Sequence, residues 1–261
     1  MEIIKYQLGI VENLPLSALY MMFNIKKNSN VSFGLKILQR FVDGKSVVAG
    51  FGNNLLKMFK IPENESFKRT KFNNPRMSDN DGYDLVLWLR DDDRGELFHK
   101  AIAIKKALED YFDIEKVISS YTYRGKYDLS GFEDGIENPK GLEVVPAAII
   151  SEGELEGSSF WVLQQWLHDF DWLNNASQSA KEECIGRSLD DSHQFESLKD
   201  FAHVKRSAKE NFNPEAQILR KSMPWSDDQL NGVFKFSKII ETSYLWCPPF
   251  KKGKLDISLL N

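Results

Sequence analysis

The sequence predicts an α+β protein built from tandem ferredoxin-like (split βαβ) units with antiparallel sheets, the second unit shortened. Three observations lead there. Strand and helix signals run in the order β-α-β-β-α-β through residues 1–130; a further apolar strand with helical periodicity behind it opens after a turn-rich crossing; and 261 residues, 42% hydrophobic, are enough for two ordinary cores. The division expected is an N-terminal ferredoxin-like domain over 1–130 and a C-terminal one over 131–261, shortened near 226–233.

The elements follow from pattern. Ala18 to Ile25 is strand-like. Val31, Leu35, Leu38 and Phe41 fall at helical spacing, and Gly44 stands where that helix stops. Lys45 to Phe51 is β-branched and apolar, and Asn53 to Phe59 gives a short helical turn before Pro62. Glu63 to Gly82 carries Asn-Asn-Pro and Asn-Asp-Gly turn chemistry and reads as a long loop. Leu85 to Leu89 is a buried-type strand, Gly95 to Phe112 places Leu97, Ala101, Ile104, Leu108 and Phe112 along one helical face, and Val117 to Tyr123 alternates as a strand. In the second half Phe160 to Trp166 is a strand and Phe170 to Ile185 a helix; short strands are expected near Phe201 to Val204, Gln217 to Arg220 and Val233 to Phe236.

Composition excludes several classes. Lys and Arg number 34 against 38 Asp and Glu, so the net charge is 34 − 38 = −4, and a pI near 5.7 offers no basic footprint for nucleic acid. No apolar run reaches the roughly 18 residues of a membrane span, and Met-Glu-Ile-Ile-Lys lacks the layout of a secretory signal, so a cytoplasmic protein is expected. Cys184 and Cys247 lie far apart without metal-ligand spacing and read as buried thiols.

The densest special segment is Gly131-Phe132-Glu133-Asp134-Gly135-Ile136-Glu137-Asn138-Pro139, where two glycines and a proline bracket three acids. It is either an Asp-Gly turn between domains or a carboxylate held on a tight backbone at a cavity. Four histidines exist: His99, His168, His193 and His203. His203 stands in Phe201-Ala202-His203-Val204-Lys205-Arg206, where chemistry alone favours a satisfied core imidazole. Arg220, at the end of an apolar strand, either points to solvent or serves a buried anion.

Together these blocks resemble the dye-decolourising (Dyp-type) haem peroxidases. The resemblance runs through Gly131-Phe132-Glu133-Asp134-Gly135 with Glu137-Asn138-Pro139, Val162 to Asp169, Ile185-Gly186-Arg187-Ser188, Ala202 to Arg206, Ile218 to Pro224, Phe236-Ser237 and Trp246-Cys247-Pro248-Pro249, in family order over nearly the whole chain. It implies a haem b in the C-terminal half, with His203 as the proximal iron ligand and Asp134 and Arg220 as the distal catalytic pair. Asp134 would move a proton between the peroxide oxygens, and Arg220 would stabilise the charge that develops as they separate. Arg187 would pair with a haem propionate, while Gly135 and Ile136 would approach the haem face. The implied activity reduces hydrogen peroxide and oxidises a dye-like or porphyrin-like organic reductant.

Two departures stand out. Ser222 replaces the Asn common two residues after the distal arginine. Only Ser226 to Val233 separates the Met-Pro block from Phe236-Ser237, where the family places a further strand and helix that supply a carboxylate partner to the proximal histidine. The alternative reading is therefore a degenerate relative that binds haem weakly or not at all and serves as a binding or assembly protein. Edges left uncovered by the shortening predict a homo-oligomer under either reading. The tail from Leu255 to Asn261 is a terminal strand or, as in family members loaded into protein shells, a docking segment.

Overall fold

The computed structural model describes residues 4–58, 82–124, 126–128, 130–208, 219, 221, 223, 225–226, 238–251 and 253–257. The polar loop expected over Glu63 to Gly82, the strand expected over Val233 to Phe236 and the shortening near 226–233 lie wholly or almost wholly outside them. Of Gln217 to Arg220 only Leu219 is described, and it lies in no strand or helix.

In the N-terminal half, β1 (Ser17–Ile25), α1 (Val31–Leu38), β2 (Val47–Phe51), α2 (Asn53–Met58), β3 (Leu85–Asp91), α3 (Arg94–Leu108) and β4 (Phe112–Tyr121) follow in order. The strands lie side by side as β2-β3-β1-β4, all antiparallel, the arrangement of a split βαβ unit. Both main helices begin on a side-chain cap. Asn30 accepts from the Phe33 amide, and Asp93 from those of Gly95 and Glu96.

Alternation along β1 divides the core. Leu19, Met21 and Phe23 join Leu35 and Leu38 of α1 and Leu97, Ile104 and Leu108 of α3 in the main cluster. Ala18, Tyr20 and Met22 face the other side, with Val48, Val86, Trp88 and Ile118. There Tyr20 and Trp88, cross-strand partners, stack at 6.0 Å. The Arg90 guanidinium lies 4.7 Å from the Trp88 ring centroid and donates to the Lys45 carbonyl.

The C-terminal half adds α4 (Val144–Ala148), β5 (Ser159–Leu167), α5 (Phe170–Asn175), α6 (Gln178–Ile185), α7 (His203–Ser207), β6 (Trp225–Ser226), β7 (Lys238–Cys247), β8 (Phe250–Lys251) and β9 (Lys254–Leu255). Its strands extend the first sheet at both ends, giving β5-β7-β2-β3-β1-β4-β6. The sheet curls, because Trp161 of β5 packs 6.0 Å from Trp88 of β3 and 6.2 Å from Tyr20 of β1. Lys116 of β4 also reaches the Gln165 side chain of β5. The join of β7 to β2 has the single pair Phe51↔Trp246, and the buried Gln7 amide reinforces it by bonding both Ala49 and the Pro248 carbonyl.

Three expectations change. The helix over Phe170 to Ile185 is two helices, since Ala176 is extended and Ser177 caps a new start by accepting from the Ala180 amide. The strand expected at Phe201 to Val204 is instead the start of α7, closed by the Arg206 amide on the Ala202 carbonyl; a five-residue helix is too short to show a period. Strand β7, which pairs with β5 from Ser159↔Cys247 to Leu167↔Lys238, has no counterpart in the sequence reading because Glu241, Thr242 and Ser243 interrupt its apolar run.

Candidate functional site

The Gly-Phe-Glu-Asp-Gly segment is one arm of a small hairpin. Tyr127 bridges Glu133, the Asp134 amide donates to the Lys126 carbonyl at 2.7 Å, and the Asp128 amide to the Phe132 carbonyl at 3.0 Å. The turn closes through the Gly131 amide on the Asp128 carbonyl, and Gly131 adopts φ +89°. With Lys126 opposite Asp134 and Asp128 opposite Phe132, these four side chains share one face. Of these, Phe132 is buried, Asp128 and Asp134 are half-buried, and Lys126 is exposed.

Asp134 is half-buried, and its Oδ1 accepts from the Gly135 amide at 2.8 Å. Gly135 has φ +72°, and a Cβ there would stand 2.8 Å from the Asn138 side-chain nitrogen. The backbone turns back through the Asn138 amide on the Gly135 carbonyl, leaving Ile136 half-buried in the turn.

Glu137 in this turn reaches the second part of the site. Arg187, 9% exposed, donates to the Glu137 carboxylate, to the Ser192 carbonyl at 2.9 Å and to the Gln194 side chain at 3.1 Å. Charge-assisted bonds from a planar guanidinium hold the Asp134 turn against residues 187–194.

The residue before Arg187 faces the third part. Gly186 is the left-handed cap of α6, and a Cβ on it would lie 2.8 Å from Leu198, 3.4 Å from Ala202 and 3.5 Å from Val204. Its lack of a side chain lets α6 approach the residues flanking His203. His203 opens α7 and is exposed, not the satisfied core imidazole that its sequence context suggested. The other histidines fall elsewhere: His99 on the exposed side of α3, His193 exposed in the 189–193 turn, and His168 half-buried beside Phe170.

Asp134 and His203 are thus each fastened, through one intermediate, to the Gly186–Arg187 pair. Arg220 and Ser222 lie outside the described residues. Their neighbours Lys221 and Met223 dock on the N-terminal half: Lys221 donates to the Glu12 carbonyl, and Met223 packs against the cluster of Ala18, Val48 and Trp88. Burial, with Arg90 nearby, pulls the Lys221 ammonium down to about 8. A cavity of about 230 Å³ lies behind Gly186, lined by Ser179, Glu182, Phe195, Leu198 and Lys199 among others, and touches neither Asp134 nor His203.

The sequence reading names Glu137 but not its partner, fifty residues away, and passes over Asp128. Asp128 precedes that segment, and its position at alternate spacing before a Ser-Gly turn is the signal that could find it.

Residues 125–242 match the family model described as Dyp-type peroxidase, C-terminal. A dye-decolorizing peroxidase of Rhodococcus erythropolis is 29% identical over 147 residues, 54% of this chain and 43% of the relative. One from Mycobacterium tuberculosis is 28% identical over 149 residues, 55% of this chain and 44% of the relative. The matched stretch therefore spans less than half the length of these relatives. In fold, the encapsulated DyP-type peroxidase of Mycobacterium smegmatis superposes with a TM-score of 0.76 at 18% identity, covering 94% of this chain and 96% of that one. A dye-decolorizing protein from V. cholerae gives 0.73 at 18% identity, covering 92% and 96%. The C-terminal half is thus similar in sequence to the C-terminal part of Dyp-type peroxidases, and nearly the whole length shares their fold.

Proposed function

We propose that the chain is a haem peroxidase that reduces hydrogen peroxide while oxidising an organic reductant of dye-like or porphyrin-like size. The carrying observation is the attachment of both the Asp134 turn and the His203 helix to Gly186–Arg187, within the stretch that matches the family. A variant of DypB from Rhodococcus jostii RHA1, similar in fold at a TM-score of 0.69 and 14% identity, is described in complex with haem.

The donor set fits haem b. His203 at the start of α7 supplies an imidazole of the kind that ligates haem iron, and a buried guanidinium already holding a carboxylate suits a propionate. When bound, haem supplies the redox iron at which a peroxide is cleaved. In this proposal His203 holds that iron and Arg187 a propionate, with Gly135 and Ile136 against the macrocycle. Asp134 carries the proton, and its Oδ1 is fixed by the Gly135 amide. Arg220 stabilises developing negative charge, and Ser222 lends a short hydroxyl in place of a longer amide. A homo-oligomer in the cytoplasm completes the reading, supported by β5 at the end of the sheet, where Val162 and Trp166 are exposed. No helix among the described residues is long and apolar enough to cross a membrane.

The test is one equivalent of hemin added to the purified protein, with the excess removed. Stoichiometric retention with a histidine-ligated ferric spectrum is expected, and His203→Ala should lose at least about tenfold in hemin affinity while folding normally. Retention of the same spectrum by His203→Ala overturns the ligand assignment. Failure of the parent protein to retain hemin overturns the peroxidase reading in favour of a non-catalytic relative.

A further inference from the structure

We propose that Glu137 competes with a haem propionate for Arg187, and so sets how tightly the chain takes up its cofactor. The proposal rests on the preceding reading, in which Arg187 pairs with a propionate. Glu137 touches no reacting atom; it occupies the guanidinium until haem displaces it.

The competition follows from how the guanidinium is used. Its Nη1 donates to the Ser192 carbonyl at 2.9 Å, and its Nη2 donates both to the Gln194 side-chain oxygen at 3.1 Å and to the Glu137 carboxylate. Nη2 carries two hydrogens, so both are engaged. A carboxylate that grips a guanidinium with two oxygens takes either the Nη1–Nη2 edge or the Nε–Nη2 edge, and Nη2 belongs to both. A propionate held that way therefore displaces one of the two acceptors already on Nη2.

Glu137 is the one that leaves. Gln194 is tied beside the guanidinium by backbone: it bridges Arg187, the Ser188 amide donates to the His193 carbonyl at 2.9 Å, and the Phe195 amide donates to the Gly186 carbonyl at 3.1 Å. Glu137 arrives from a separate turn fifty residues away, and its side chain is 69% exposed against 11% for Arg187, so it has water to swing into. Charge decides in the same direction. Gln194 is neutral and tolerates an anion beside it, whereas Glu137 and a propionate on one guanidinium are two negative charges sharing one positive. The turn survives the exchange, because the Asn138 amide on the Gly135 carbonyl and the Asp134 amide on the Lys126 carbonyl do not involve the Glu137 side chain. The ion pair that braces Arg187 in the haem-free chain is thus the one that haem must break.

The experiment titrates the full-length protein, parent and Glu137→Gln, with hemin and with hemin dimethyl ester, whose esterified propionates carry no charge, and follows the Soret band. Glu137→Gln keeps the side-chain length and removes the charge. It is expected to bind hemin about fivefold more tightly than the parent, the upper end for one exposed ion pair, and to bind the ester no more tightly. An unchanged or weaker hemin affinity overturns the proposal. So does an equal gain with both porphyrins, since the gain would then not concern the propionates. Should Glu137→Gln fail to fold, Glu137→Ala, which removes the competing acceptor altogether, is read in the same way. Hemin binding by the parent without the expected gain overturns the competition alone, whereas absence of binding in parent and variants alike overturns the haem reading and the competition with it.

Discussion

The N-terminal core and the α5–α7 region of this chain are held by different forces. In the N-terminal half Leu35, Leu38, Leu85, Leu87, Leu89, Ile104 and Leu108 are wholly removed from water between one sheet face and two helices. In the C-terminal half α6 and α7 bury no residue fully, and α5 buries only Leu173. What fixes that region is polar: Ser177 and Asp169 as caps, Arg187 with its three acceptors, and the hairpin bonds of Asp134. Apolar packing is strong and indifferent to direction, whereas hydrogen bonds and ion pairs are weaker and set orientation. A candidate centre that must aim a carboxylate and an imidazole is accordingly found where polar contacts govern.

Three substitutions probe that contrast. Leu87→Ala in the N-terminal core is expected to cost about 2–5 kcal/mol, read by urea unfolding, because it opens a cavity between tightly packed neighbours. His203→Ala, exposed, should stay within about 0.5 kcal/mol of the parent in the same assay. Equal losses at the two positions would erase the distinction between the halves.

Arg187→Ala removes three donors but little apolar area, and Glu137 on the far side is largely exposed, so solvent screens part of the pair. A loss of about 1–2 kcal/mol is expected. Amide exchange should accelerate at Asp134 and Asn138 in the turn that Arg187 restrains, and stay unchanged in β1 and β3. Unchanged exchange at Asp134 would sink the brace.

A further effect is one of pH and concerns the contact between the halves. Lys221 is held near 8 in the fold by burial first and Arg90 second, against about 10.4 unfolded. The native state therefore binds fewer protons than the unfolded chain between those values. Its stability should rise as pH climbs from about 8 to about 10, and the gain should vanish as pH falls through 8. Lys221→Met should flatten this part of the profile in thermal melts taken across the range. An identical slope in parent and variant would place Lys221 in solvent.

Legibility in sequence followed the same division. Every element of the β-α-β-β-α-β order was readable to within a few residues at most boundaries, because β1, β3, α1 and α3 bury one face or both and periodicity records burial. The largest boundary error, the start of β4, came where Asp113, Glu115 and Val117 are exposed and the alternation is diluted. In the C-terminal half the helix pair α5–α6 read as one, α7 read as a strand, and β7 was missing, since caps and short pieces leave no period to detect. Asp134, Gly135, Ile136, Arg187 and His203 were all nameable from ordered motifs, but not their surroundings.

By itself, then, the sequence determined the split βαβ order of the first half, the acidic Gly-bracketed segment and the family it resembles, because these depend on local pattern. Only the tertiary structure decided that the strands of both halves form one curled sheet, that Arg187 holds Glu137, that Gly186 seats the His203 helix and that Asp128 shares a face with Asp134. Each of these depends on which distant backbone comes within hydrogen-bond reach or van der Waals contact, and residue order along a chain does not encode distance between its remote parts.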